Sequence, residues 1–236
     1  LRLHREDMQI TRGDIRRHVV QGVPLGLQFS VLAIGIIVMQ SVVVKFDMID
    51  GQMVSHAAQN GFGAANKLNS LIMTPVNGLG TAMTSFTAQN LGARRSDRVR
   101  EGYRGCLKMM ALIATAFAAV YVLLGDQVIR LFLNGENTQA LSVGKQFLRV
   151  VAPFYYAVAL KVATDGVLRG AGRMGEFMTD TFIDLALRVV LSFVLSAPLG
   201  LQGVWWSWPV SWVVATIAAI VFYRQNRWAK LEPGDA

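Results

Sequence analysis

The chain has 236 residues, 53% of them hydrophobic and only 16% charged, with a mean hydropathy of +0.40, one cysteine and a formal net charge of +8. Soluble domains carry about 25% charged residues, so this chain is short of side chains to face water. Its basic balance would fit a nucleic-acid partner only if the cations shared a polar face; they sit instead at the ends of long apolar runs, which excludes nucleic acid and points to a lipid bilayer.

Residues 1–18 are polar and basic and hold no apolar core, so no signal peptide is expected, and the opening LRLHREDM reads as part of something longer. Six segments follow that meet or nearly meet the roughly 20 apolar residues of a membrane-crossing helix. They are Val19–Val44, Leu68–Asn90, Cys106–Leu124, Phe147–Val167, Thr179–Ala197 and Gly203–Tyr223. All but the second are apolar all round, unlike the surface helices of a soluble bundle, and β-type alternation is absent. The expected fold is all-α: a polytopic membrane protein with six transmembrane helices over residues 19–223, a cytoplasmic segment 1–18 and a cytoplasmic tail 224–236.

The connections are sharply unequal in charge. Residues 1–18 hold five Lys and Arg, 94–108 six, 169–173 two and 224–230 three, whereas the alternate connections hold Lys45, Arg130 and Lys145, with Arg149 at a helix edge. The positive-inside rule places the first set, and with it both termini, in the cytoplasm. Trp205, Trp206, Trp208 and Trp212 open the last segment on the external side, where indoles favour the headgroup region, and read as an anchor belt.

The second segment differs from the rest. Asn66, Ser70, Thr74, Asn77, Thr81 and Ser85 are spaced by 4, 4, 3, 4 and 4 residues and form one polar stripe on a helix. Polar groups facing lipid go unsatisfied, so the stripe is expected to wall a cavity rather than serve as interhelical glue. Pro24, Pro75, Pro153 and Pro209 lie within four segments and invite kinks. GVPLG (Gly22–Gly26) and GVLRG (Gly166–Gly170) are candidates for close helix packing.

Charges inside the apolar runs are the sharper signal. Lys161 and Asp165 lie in the fourth segment, and Asp180, Asp184 and Arg188 in the fifth, each set in steps of four and so on one helix face. An ionised residue at mid-membrane costs about 2.5–3.5 kcal/mol on insertion scales, so partners are expected. Folding the two helices about the loop 168–177 pairs Lys161 with Asp184 or Asp180, and Arg188 with Asp184. Two cations then face three carboxylates, an arrangement that serves either a structural network or proton or cation coupling. The motifs HExxH and GxSxG are absent, and Cys106 with scattered His4, His18 and His56 makes no disulfide or metal set, so neither an enzyme nor a cofactor is expected.

Several pieces resemble the multidrug and toxic compound extrusion (MATE) transporters. TPVNGLGTAMTSFTAQNLGARRSDRV (Thr74–Val99) is similar to their eighth helix and the loop after it, GVLRGAG (Gly166–Gly172) to the turn after the tenth, DLALRVVLSFVL (Asp184–Leu195) to the eleventh, and the Pro24 segment to the seventh. The resemblance covers nearly the whole chain. It implies the second lobe of a twelve-helix transporter in a bacterial inner membrane, with residues 1–18 as the inter-lobe linker and a missing N-terminal six-helix lobe as partner. It further implies export of amphiphilic, often cationic drugs from a cavity between rocking lobes, with Na⁺ or H⁺ as coupling ion. Gln28, Asn66, Ser70, Thr74, Asn77, Thr81 and Ser85 become candidates for the substrate cavity, and Lys161, Asp165, Asp180, Asp184 and Arg188 for ion coupling or a buried charge network. Many bacterial members carry an acid in the seventh helix; Val19–Val44 has none, and Gln28 is its main polar group. The family's tenth-helix acid also lies further from the turn than Asp165 does.

Two other readings compete. A flippase for lipid-linked oligosaccharides needs unpaired cations for a pyrophosphate, whereas Lys161 and Arg188 each have a nearby acid. A membrane assembly fragment would bind no drug.

Overall fold

The computed structural model describes residues 12–133, 138–225 and 227–229. Eight α-helices account for most of them: α1 (Arg12–Val44), α2 (Ala57–Gly92), α3 (Ser96–Leu123), α4 (Gly125–Arg130), α5 (Thr138–Val151), α6 (Tyr155–Gly170), α7 (Met174–Leu199) and α8 (Leu201–Arg224). Among the described residues, five helical stretches are long and apolar enough to cross a membrane: His18–Asp47, Ser96–Leu123, Thr138–Gly170, Met174–Leu199 and Leu201–Arg224. At 36 residues α2 is the longest helix, and it falls outside that set by composition because of its polar stripe. It packs against α3, α5 and α6. The fold is that of an all-α membrane protein.

The elements depart from the expected segments in physically informative ways. The second helix starts at Ala57, eleven residues before the apolar run, and the fourth span starts at Thr138 as the amphipathic α5. Of the four prolines expected to kink helices, only Pro153 interrupts one, in a 3₁₀ turn at Ala152–Phe154 between α5 and α6. Pro24, Pro75 and Pro209 remain inside continuous helices. The segment 1–18 expected outside the membrane is already helical from Arg12; residues 1–11 and 230–236 lie outside the described residues.

An unexpected hairpin joins α1 to α2, with strands β1 (Met48–Ile49) and β2 (Gln52–Met53). Its turn is Asp50–Gly51, with φ of 50° and 77°, the left-handed pair that a two-residue hairpin loop requires and that Asp-Gly favours. Asp47 anchors it. One carboxylate oxygen accepts from Ser55 Oγ at 2.7 Å and Ala58 N at 2.9 Å, and the other from Gln59 N at 2.9 Å. The same residue's carbonyl accepts from Val54 N and Ser55 N, so one residue closes the hairpin and caps α2.

Glycine sets how closely α2 and α6 approach. A Cβ on Gly166 would stand 2.7 Å from the Gly80 carbonyl oxygen, and one on Gly170 would collide with the Thr84 carbonyl. The GVLRG spacing therefore does pack a helix interface, whereas a Cβ on Gly22 or Gly26 would meet nothing within 4 Å.

The anchor-belt reading of the tryptophans is corrected. Trp205, Trp208 and Trp212 are buried, and only Trp206 is exposed. The first three are spaced i, i+3, i+7 and share the face of α8 that meets the core. Trp205 stacks on Phe62 at 5.4 Å, and Trp208 meets Phe147 edge-on at 5.3 Å.

Candidate functional site: a charged cavity among five helices

A cavity of about 290 Å³ opens between α1, α2, α6, α7 and α8. Gln28, Asn66, Ser70, Asn77, Lys161, Asp165, Asp184 and Arg188 line it. Asp180 lies behind this wall, fully buried, and is linked to it by hydrogen bonds from Lys161 and Thr181, which do line the cavity. Thr74, Thr81 and Ser85 are exposed on α2 but do not line it. The reason is helical drift. Asn66, Met73 and Asn77 fall within about 40° of one another around the helix, while Thr74, Thr81 and Ser85 lie about 60–100° round from Asn66. Past Gly80, moreover, α6 closes onto α2 and leaves no space.

Three of the stripe's four hydroxyls bond within their own helix. Ser70 donates to the Asn66 carbonyl at 2.9 Å, Thr74 to Ser70 at 2.9 Å and Thr81 to Asn77 at 3.0 Å, all within α2. With those protons satisfied locally, the hydroxyl oxygens remain acceptors on an open face.

The buried charges form two groups. Lys161 Nζ lies 2.6 Å from Asp165 on its own helix and 2.9 Å from Asp180 on α7. Of the two partners left open for Lys161, the geometry selects Asp180, one turn nearer the α6–α7 connection, because Arg188 takes Asp184 at 2.6 Å. Each carboxylate keeps one buried oxygen without a hydrogen-bond partner among the described residues: Asp165 Oδ1, Asp180 Oδ2 and Asp184 Oδ1. Gln28 Oε1 and Asn69 Oδ1 are in the same condition. Buried polar atoms almost always find a partner. Five acceptors without one, four of them on cavity-lining residues, make the site receptive to a proton or a cation.

Several participants escaped the sequence reading. Asn69, 4% exposed, lines the cavity; it lies three residues after Asn66, a spacing that the stripe also contains. Trp208 and Trp212 line it too, with the Arg188 guanidinium 4.5 Å from the centre of the first indole and 5.9 Å from the second. Arg188 and Trp212 lie equally far in sequence from Gly200 at the α7–α8 turn, so counting outward from that glycine pairs them. Arg169, on α6 one turn beyond Asp165, places its guanidinium 5.1 Å from the Phe177 ring, and its Nε is buried without a partner.

Comparison with known proteins gives consistent relatives. The MatE family model matches residues 35–194. A probable multidrug resistance protein of Bacillus subtilis, YpnP, is 30% identical over 212 residues, covering 89% of this chain and 45% of its own length. The probable multidrug resistance protein NorM of Thermotoga maritima is 20% identical over 236 residues, covering 96% of this chain and 49% of its own. Among solved structures, a MOP superfamily transporter from Pyrococcus furiosus superposes with a TM-score of 0.85 at 22% identity, over 97% of this chain and 50% of that one. A MATE in complex with MaL6 gives 0.84 at 22% identity, over 95% and 49%. The chain thus spans about half the length of the curated relatives it matches.

Proposed function

The chain belongs to the MatE family, and we propose that it forms the C-terminal six-helix lobe of a secondary active efflux transporter in a bacterial inner membrane. Its cargo is amphiphilic or cationic drugs, exported in exchange for Na⁺ or H⁺. The observation that carries this reading is the cavity itself. Three buried carboxylates, each with an unpaired oxygen, stand beside two cations and two indoles within a membrane-spanning bundle. An N-terminal lobe, as fused domain or separate chain, faces the exposed stripe of α2. Residues 1–18 link the lobes, 224–236 form a tail, and both lie on the cytoplasmic side with the basic α2–α3 connection.

In this reading the charge groups divide the work. The Asp165–Lys161–Asp180 group holds two carboxylates on one ammonium, so a proton or Na⁺ gained there changes the balance between α6 and α7. Asn66, Ser70 and Asn77 offer polar contacts to a bound drug, and Trp208 and Trp212 offer apolar faces. A pyrophosphate-linked cargo would need cations without acid partners, and both Lys161 and Arg188 have them.

The test is efflux by the full-length transporter in proteoliposomes. An imposed Na⁺ or pH gradient is expected to drive ethidium across the membrane, and Asp165→Asn to uncouple that flux while ethidium still binds. Ethidium movement indifferent to either gradient would overturn the antiport reading.

A further inference from the structure

The Arg188 guanidinium occupies a small box with three walls. The rings of Trp208 and Trp212 meet edge to face, 5.7 Å apart at 89°, so their faces form a corner. Arg188 sits in that corner, 4.5 Å and 5.9 Å from the two ring centres. Asp184 closes the third side, with Oδ2 2.6 Å from Arg188 Nη2. Both indoles are at least 96% buried and Asp184 is 7% exposed, yet all four residues border the cavity. Ser211 accepts from Arg188 Nε at 3.5 Å, a distance at the outer limit of a hydrogen bond. The remaining oxygen of Asp184 and the Trp208 Nε1 have no partner among the described residues.

A carboxylate beside two perpendicular aromatic faces is the arrangement that recognises an organic cation. Here its occupant is a side chain of the protein, tethered one turn from the carboxylate it holds. We propose that this box is a binding site for the ammonium group of the cargo, and that Arg188 is its internal competitor, leaving the box when the cargo enters and returning to expel it. The proposal rests on the transport reading for its cargo, but it assigns a site and a role for Arg188 that the reading does not require.

The exchange adds one positive charge to the cavity, where Gln28 Oε1, Asn69 Oδ1 and Asp165 Oδ1 are acceptors without a partner among the described residues. Arg188 swinging out carries its positive charge into the cavity, while the incoming ammonium meets Asp184 and the two indoles, so the carboxylate is never left without a counter-ion. At about 290 Å³ the cavity takes a cationic head with one ring, and larger apolar parts extend past the open stripe of α2. Selectivity against neutral cargo follows: a neutral molecule offers Asp184 nothing in place of Arg188, so the displacement is unfavourable.

The test uses the purified full-length transporter and radiolabelled benzyltrimethylammonium, with neopentylbenzene, its neutral carbon isostere, as competitor. Arg188→Gln removes the occupant and is expected to tighten binding of the cation by about tenfold, near the worth of a desolvated cation–π contact. Arg188→Lys keeps the charge without the flat stacking surface and is expected to tighten it about threefold. Trp208→Leu added to Arg188→Gln should return the affinity to the unmutated level, and neopentylbenzene should not compete in any variant. In transport, Arg188→Gln should saturate at lower cargo concentration with a slower maximal rate, because nothing returns to expel the cargo. If Arg188→Gln fails to fold, Arg188→Lys decides alone. Unchanged or weaker binding in the folded variants would overturn the box while leaving gradient-driven efflux, and so the antiport reading, intact. Tighter binding in a transporter that shows no such efflux would uphold the box and overturn antiport.

Discussion

Lys161 and Asp180 join α6 to α7 through a 2.9 Å ion pair in which both side chains are buried. The two helices meet little elsewhere, so this pair and the α6–α7 connection are their main direct links, while α8 packs against both. Lys161→Met leaves Asp165 and Asp180 both uncompensated. Breaking a buried pair in this way costs about 3–5 kcal/mol. The full-length protein is expected to lose abundance and thermal stability in detergent, and the triple change Lys161→Met, Asp165→Asn, Asp180→Asn to recover most of both. Melting curves that do not separate the single from the triple variant would show that the pair does not hold the helices.

The glycines of α6 predict a contrast. Gly170→Val forces a side chain into the Thr84 carbonyl of α2, and Gly26→Val meets nothing within 4 Å. The first substitution should lower the midpoint of thermal unfolding by several degrees, the second by much less. Equal losses would mean that the approach of α2 and α6 is not limited by Gly170.

Much of this architecture is legible in the sequence because lipid demands it. Long apolar runs have one economical reading in a membrane, and the Arg188–Asp184 pair follows from spacing alone. What stayed hidden required knowledge of which face a helix turns inward. The tryptophans of α8 read as a belt because four indoles near a helix start fit an interface. The i, i+3, i+7 spacing of Trp205, Trp208 and Trp212 was the signal that they share a buried face. Thr74, Thr81 and Ser85 belong to the stripe by periodicity but lie off the cavity, since small angular steps accumulate along a long helix. The hairpin at Asp50–Gly51 is too short to show alternation, and its only mark was the Asp-Gly pair.

Asp47 predicts a local effect. Asp47→Ala removes three hydrogen bonds from a buried carboxylate and uncaps α2, a loss of about 2 kcal/mol. Hydrogen exchange should accelerate at Val54–Gln59 while the α2–α6 interface keeps its protection. Uniform acceleration would mean that Asp47 supports the whole lobe and not the hairpin alone.

Orientation is tested at exposed positions on opposite ends. With Cys106 buried, Gln52→Cys on the hairpin should be labelled in intact cells by an impermeant thiol reagent, and Arg95→Cys only after the cells are opened. The reverse pattern would invert the topology drawn from the loop charges.

The polar stripe offers the most direct test of the cavity. Asn77 lines it, and Thr81, one turn further on, does not. Both are exposed, and both belong to the stripe. Thr81 already donates its proton to the Asn77 carbonyl within α2, so removing the hydroxyl costs little beyond that local bond. The Asn77 amide presents two donors and an acceptor to the cavity, and replacing it with Leu removes all three and adds apolar bulk. In the full-length transporter at equal abundance, Asn77→Leu is therefore expected to shift the inhibitory concentration of ethidium several-fold, and Thr81→Val and Leu79→Ala far less. If cargo instead follows the whole stripe, Thr81→Val will act as strongly as Asn77→Leu, and the binding surface is the open face of α2 rather than the cavity. If Leu79→Ala matches Asn77→Leu, the effect comes from packing, since Leu79 is partly buried against the core.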